Sequence, residues 1–432
     1  MYQTYVRTVL CLSVVLIFLQ SKATDYVWSG LGDGTTFSDP NNWVGNVVPA
    51  SSSTTRIIFG DGPGGLTGLI NIDLDVNRNV GQIVFQTDDA TYDISSFGQA
   101  FGVFDIMSLG LINNNNLTAT IDADVRVRAS QTWNAANGDF SVGGGVNLFA
   151  NSLTIDGAHS TTFGGIVSGS GPIYKIGSGT LTFAGANTFS GGLTVGNGRV
   201  VLATDTAAGA GTINLTNGAT LEGSGGTRSI ANAVNVGPNG GVISGSGVLR
   251  ISGVISGDGL TKNGSGTLEI NANNNTLGSL TLAQGHVSLT GAGGNLLSDT
   301  AVLHMAGGTL DMNDKTETIG TLDLASGTSV INLEPDSTPG TLTFSQLSRN
   351  GGTLTIFGWK GTAGSSGTDD RIFLDAPATI PEITFDGFAP GATLLNTGEI
   401  VPTAVPEPNS VAFFSMSLLG FALWGILRRR DR

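Results

Sequence analysis

The chain has 432 residues, 66 of them Gly, and only 12% are charged, against about 7% Gly and about 25% charged residues in an ordinary globular domain. Nineteen basic residues stand against 33 acidic ones for a net charge of −14, which excludes the clustered basic surface that nucleic-acid phosphates require. The sole cysteine is Cys11, so neither a disulfide framework nor a thiolate metal site is available.

At the amino terminus, Arg7 precedes an apolar run from Val9 to Leu19, and the small residues Ser21 and Ala23 follow it. That order predicts a secretory signal peptide over residues 1–23, cut between Ala23 and Thr24. The run is too short to cross about 30 Å of hydrocarbon. The expected partners are therefore a secretion translocon and signal peptidase. Loss of this segment and of the arginine-rich tail would leave the mature body still more acidic, a soluble surface that could collect calcium weakly and that implies no resident cofactor.

Residues 24–65 contain Trp28, Phe37, Trp43 and Phe59 and are expected to cap the exposed end of a stacked body; a carbohydrate platform is the alternative use of the two tryptophans. The glycines of "FGDGPGG" have dinucleotide-loop spacing, but so Gly-rich a chain produces such matches by chance, and no helical pattern follows.

From about Val142 onward, short stretches such as LTF, LTV, VVL, INL and LEI alternate apolar with polar residues between Gly, Asn, Ser and Asp. This is a strand-and-turn pattern, and helical spacing is absent between Thr24 and Pro408, so the body is expected to be all-β. Ser168, Gly169 and Gly171 recur as Ser256, Gly257 and Gly259; Lys175 and the GSGTL at Gly177 recur as Lys262 and the GSGTL at Gly264. Strands this short bury nothing alone, whereas stacked coils pair every strand and align apolar columns. At roughly 20–25 residues per coil and ~4.8 Å per rise, residues 66–345 form the main part of a rod of about 65 Å and on the order of 14 coils, followed by a β segment over 346–402.

Candidate chemistry is sparse. His159, His286 and His304 have neither HExxH nor paired spacing; His286 and His304 could meet only if they occupy neighbouring coils. Asp73 and Asp75, and Asp122 and Asp124 followed by Arg126 and Arg128, each share a strand face. Such pairs suit a calcium site or a glycoside-cleaving carboxylate pair, or plain outward charge, which is the expectation adopted. No catalytic residue is assigned.

The segment Lys175–Ala203 resembles the autotransporter-associated β-strand repeat, with Lys175, Gly179, Leu181, Gly185, Asn187, Phe189 and Gly191 in the matching positions. The second copy keeps Lys262, Gly266 and Leu268 but reads NANNN where the first has GAN, so its turn is expected to be lost. The resemblance implies a right-handed parallel β-helix. The amino-terminal Trp28, Asn42, Trp43 and Pro49 also resemble the leader that precedes such repeats.

The tail over 403–432 carries "VPEP", then Val411–Leu427 without a charge, then RRRDR. Seventeen apolar residues are at the short limit of a span, and Arg428, Arg429 and Arg430 would stay cytoplasmic. Pro406, Glu407 and Pro408 hold an extended, accessible stretch before it. The three parts in this order resemble the PEP-CTERM sorting signal. That resemblance implies transient inner-membrane insertion, recognition by an exosortase, and release to the cell surface or an exopolysaccharide matrix. A translocator barrel would need many ten-residue alternating strands, and none are read here. The expected protein is thus an exported, non-enzymatic surface or matrix rod with an adhesive or exopolysaccharide-associated structural role; a polysaccharide lyase or hydrolase of β-helical build is the alternative.

Overall fold

The structure is a computed structural model that describes residues 23–404 apart from 61, 64, 87–88, 97–101, 334–338 and 376–379. The expected signal peptide before Ala23, the Pro406–Glu407–Pro408 motif, the helix 411–427 and Arg428–Arg430 lie outside the described residues. Among the described residues no helix is long and apolar enough to cross a membrane.

The body is a parallel β-solenoid of about 13 turns, built from a 28-stranded and an 8-stranded sheet. The only helix among the described residues is a single 3-10 turn, Pro40–Asn42. Ile173 stands over Leu153, Leu193 over Ile173 and Ile213 over Leu193, so these coils repeat every 20 residues. Alternation sets which side chains enter: in Thr180–Phe183 the residues Leu181 and Phe183 are buried while Thr180 and Thr182 are half-buried. Aligned registers then turn single burials into columns. Leu181, Val200, Leu221 and Ile243 lie on successive coils, and Phe163 stacks on Phe183 at 5.6 Å. Each such side chain contributes about 1.5–3 kcal/mol by leaving water.

Both ends of the column are covered by aromatic side chains. At the amino end Trp28 and Trp43 meet edge-on at 5.0 Å, Phe37 meets Trp43 at 4.9 Å, and the Trp43 Nε1 donates to Phe37 O at 2.8 Å. Trp28 and Trp43 are fully buried, so neither ring is open to stack on a sugar. At the carboxyl end Trp359 packs edge-on against Phe385 and Phe388, and the only antiparallel strand pair among the described residues, Ala392–Leu394 with Ile400–Pro402, closes the last coil. The boundary expected between residues 345 and 346 falls inside the strand Thr341–Arg349, and parallel pairing continues to Ile383–Phe385. Coils lengthen towards this end: Arg371 stands over Thr341, 30 residues back.

Glycines at the repeat corners are required by contact between coils. A Cβ on Gly179 would overlap the carbonyl of His159, and one on Gly266 the carbonyl of Gly247. These are the second glycines of the two GSGTL segments, so the motif marks where one coil lies directly on the backbone of the coil before.

Candidate functional site

The recurring lysines are interior residues. Lys175 lies in register with Ile155 below and Val195 above, and Lys262 with Ile243 and Leu282; both side chains are 1% exposed. Each Nζ turns into the corner that follows it. Lys175 donates to Gly177 O; Lys262 donates to Asn263 O at 2.9 Å, Gly264 O at 2.6 Å and, from the next coil, Gln284 O at 3.3 Å. The lid of each cage is a glycine with a left-handed backbone, Gly198 (φ 70) and Gly285 (φ 72), where any Cβ would press on the ammonium. Burial pushes the pKa of both lysines down to about 8, with Asp156 opposing the shift at Lys175. The arrangement is a buried charge held by carbonyl dipoles.

A second buried polar row runs along another corner. Asn187 accepts the Val167 N–H at 2.8 Å and donates to Ala207 O at 2.6 Å. Asn275 accepts the Ile255 N–H and donates to Leu296 O, both at 2.6 Å. The turn expected to be lost in the second repeat is therefore kept in function, because Asn275 of NANNN replaces the asparagine of GAN at a position one residue later relative to its lysine. Asn232 bridges to Gly209 and Gly211 carbonyls between them. Glu317 continues the row, its carboxylate accepting the Leu296 and Leu297 N–H groups at 2.7 and 3.1 Å. Burial raises the Glu317 pKa against these hydrogen bonds, with a smaller contribution from Asp299.

The acidic pairs are placed apart. Asp75 binds the amide and hydroxyl of Ser38, and the main chain of Asp73 pairs with Thr35 and Phe37. Next to them Asp33, hydrogen-bonded by the Thr36 hydroxyl, the Thr36 and Thr35 amides and Asn42, has its carboxyl held far below the usual range. These groups tie the loop 33–42 together. Asp93 stands opposite Thr120 on the next coil, two residues before Asp122; burial and then the Asp122 charge push the Asp93 pKa up. That carboxylate pair was invisible to i, i+2 spacing. Among the described residues no group of three or more His, Cys, Asp or Glu is placed to hold a metal ion.

Asp124, Arg126 and Arg128 do share an outward face. Asp124 accepts the Gly145 N–H at 2.8 Å. Arg128 binds Asp105 at 2.5 Å and lies over the Phe149 ring at 4.7 Å, while Arg126 keeps only a 3.9 Å approach to Asp105. Arg126, Asn147 and Ser168 stand one above another on three coils. Beside them Gly145 leaves a gap between Asp124 and Ile166, the floor of a shallow depression of about 340 Å³.

The histidines do not converge. His286 lies in the 8-stranded sheet and His304 in the 28-stranded one. Instead each Nδ1 faces an aspartate one coil on: His286 to Asp311 at 2.9 Å and His304 to Asp323 at 2.7 Å. His159 approaches Asp139 more loosely, at 3.8 Å. Burial would raise the Asp323 pKa, but hydrogen bonds from His304, Ser348 and Asn350 outweigh it and hold the carboxyl below its ordinary value.

The family model of the passenger-associated-transport-repeat matches residues 173–202 and 260–289. Each match contains one buried lysine and the glycine that lies over its ammonium, Lys175 with Gly198 and Lys262 with Gly285. No curated protein and no solved structure matches the chain. A repeat-rich β-solenoid with two passenger-associated repeats points to an exported, passenger-type surface protein.

Proposed function

We propose that the chain is an exported, non-enzymatic rod that works at the cell surface or in the extracellular matrix, with an adhesive or exopolysaccharide-associated structural role. The observation that carries this reading is the pair of buried lysines inside the two matched repeats: these recurring residues, unusual enough to look functional in the sequence, bind the backbone carbonyls of the repeat corners. The first strand opens at Thr24, next to the proposed signal-peptidase cut after Ala23. The coil is taken as right-handed, the hand that the resemblance to the autotransporter-associated β-strand repeat implies. On this reading the secretion translocon delivers the chain and the helix 411–427 holds it briefly in the inner membrane. Arg428, Arg429 and Arg430 set its orientation, and an exosortase cuts near Pro406–Glu407–Pro408. No cofactor is proposed beyond weak calcium at surface carboxylates.

The test is mass spectrometry of the protein from outer-surface and inner-membrane fractions of wild type and Glu407→Ala. Wild type should reach the surface without Arg432 peptides, and the variant should remain intact in the membrane. Intact Arg432 peptides in the wild-type surface fraction would overturn removal of the tail, and absence of the protein from the surface would overturn the localisation.

A further inference from the structure

Eight described residues other than glycine have a left-handed backbone: six asparagines, Asp314 and Phe149. Asparagine and aspartate reach that region readily, whereas a bulky residue there is strained by about 1–2 kcal/mol. Phe149 (φ 51) is held in place by its surroundings. Its N–H donates to Asn147 Oδ1 at 2.8 Å, and its carbonyl accepts from the Gly171 amide at 2.9 Å and the Ser170 hydroxyl at 3.1 Å. The strained position does not serve the core, because the side chain is 38% exposed. It presents an aromatic ring, braced by Arg128, on the strip that also carries the depression of Asp124, Arg126, Asn147 and Ser168. Strain kept without a packing gain is a mark of function.

We infer that this strip is a saccharide-binding groove selective for acidic sugars. Asn147 and Ser168 both donate and accept, and Asp124 accepts, which is the mixed lining that sugar hydroxyls need. The exposed Ile166 and the Phe149 ring offer apolar surface to pyranose faces. The Arg126 guanidinium, held only at 3.9 Å from Asp105, keeps its fork of donors open for a carboxylate. The column Arg126, Asn147 and Ser168 runs across three coils, so an extended chain fits better than a single sugar. The choice of ligand rests on the surface role proposed above, while the groove rests on geometry alone.

The test is calorimetric titration of the purified full chain with a short oligogalacturonate and with a neutral cello-oligosaccharide of equal length. Wild type should bind the acidic chain at least tenfold more tightly than the neutral one. Arg126→Gln should remove that preference while leaving neutral binding unchanged. Phe149→Asn should raise the melting temperature, by relieving the strained backbone, and weaken both ligands at least tenfold. Binding of neither ligand by wild type, or wild-type affinity in both variants, overturns the groove. An unchanged or lower melting temperature in Phe149→Asn overturns the reading of strain. Because binding is measured on purified protein, these failures are separate from any failure of the protein to reach the surface.

Discussion

Replacing Lys175 and Lys262 by methionine tests whether the repeat lysines are buried charges. In the folded chain their pKa lies at about 8, against 10.5 for a free lysine. Below pH 8 both states carry the proton and the pair adds no pH dependence. Between about 8 and 10.5 the unfolded chain holds protons that the folded chain has released, so stability rises with pH. At 1.36 kcal/mol per pH unit, that rise amounts to roughly 3 kcal/mol per lysine. At pH 7 the methionine relieves a desolvated ammonium worth about the same amount. At Lys262, however, it strips the donor from three corner carbonyls, each costing about 1–3 kcal/mol when unpaired. Lys262→Met should therefore be net destabilising at pH 7. The assay is urea unfolding followed by circular dichroism at pH 7.5, 9 and 10.5 for wild type, each single variant and the double. Wild type should gain stability relative to the double variant's own pH trend. Parallel curves across this range would refute the claim that these charges are held against burial.

Two further outcomes follow from the polar corners. Asn275→Ala orphans the Ile255 N–H and the Leu296 carbonyl, so it should cost about 2 kcal/mol or more, with faster hydrogen exchange by mass spectrometry confined to the coils around residues 255–297. Asp323, whose folded pKa is lowered, contributes stability that is complete above the unfolded carboxylate pKa and is lost as pH falls through the folded one. Asp323→Asn should thus be less stable than wild type at pH 7 in chemical unfolding, and the gap should narrow as pH falls below the unfolded carboxylate pKa; a gap undiminished there contradicts the linkage.

How much of this was legible beforehand depends on what kind of rule each residue obeys. Strand alternation and the recurrence of GSGTL are local patterns, and both survive directly as strands and coil contacts. Lys175 and Lys262 were legible as repeated letters, but their burial was not: lysine is ordinarily an exposed residue, and only the corner carbonyls of the folded coil make an interior ammonium tolerable. Asn275 was misread because the match was made to the GAN triplet, while the fold needs only an amide that spans two coils and accepts a shift of one residue. His304 and Asp323, 19 apart, and His286 and Asp311, 25 apart, meet because each spacing is about one local coil length. Coil lengths range from 19 residues between Thr267 and His286 to 31 between Thr24 and Thr55 at the amino end, so no fixed spacing reveals such pairs. Phe149 was hidden for the opposite reason, since it stands where turn chemistry would place asparagine or glycine.

The same contrast explains why a rod made of nearly interchangeable apolar coils has one register. A slip of two residues between neighbouring strands keeps alternation intact, so apolar residues would still point inwards and the hydrophobic columns alone would penalise it little. The cages would not survive the slip. Lys262 would keep Asn263 O and Gly264 O of its own corner but lose Gln284 O and the side-chain-free Gly285 above it, leaving a buried ammonium crowded and short of one acceptor. Asn187 and Asn275 impose the same penalty at the other corner, where each carries one donor and one acceptor to different coils. Two cages 87 residues apart and an amide row between and beyond them therefore fix register at intervals along the rod. A polar residue in the core of a repeat protein is costly per coil, but here it supplies the discrimination between registers that uniform leucine and isoleucine columns lack.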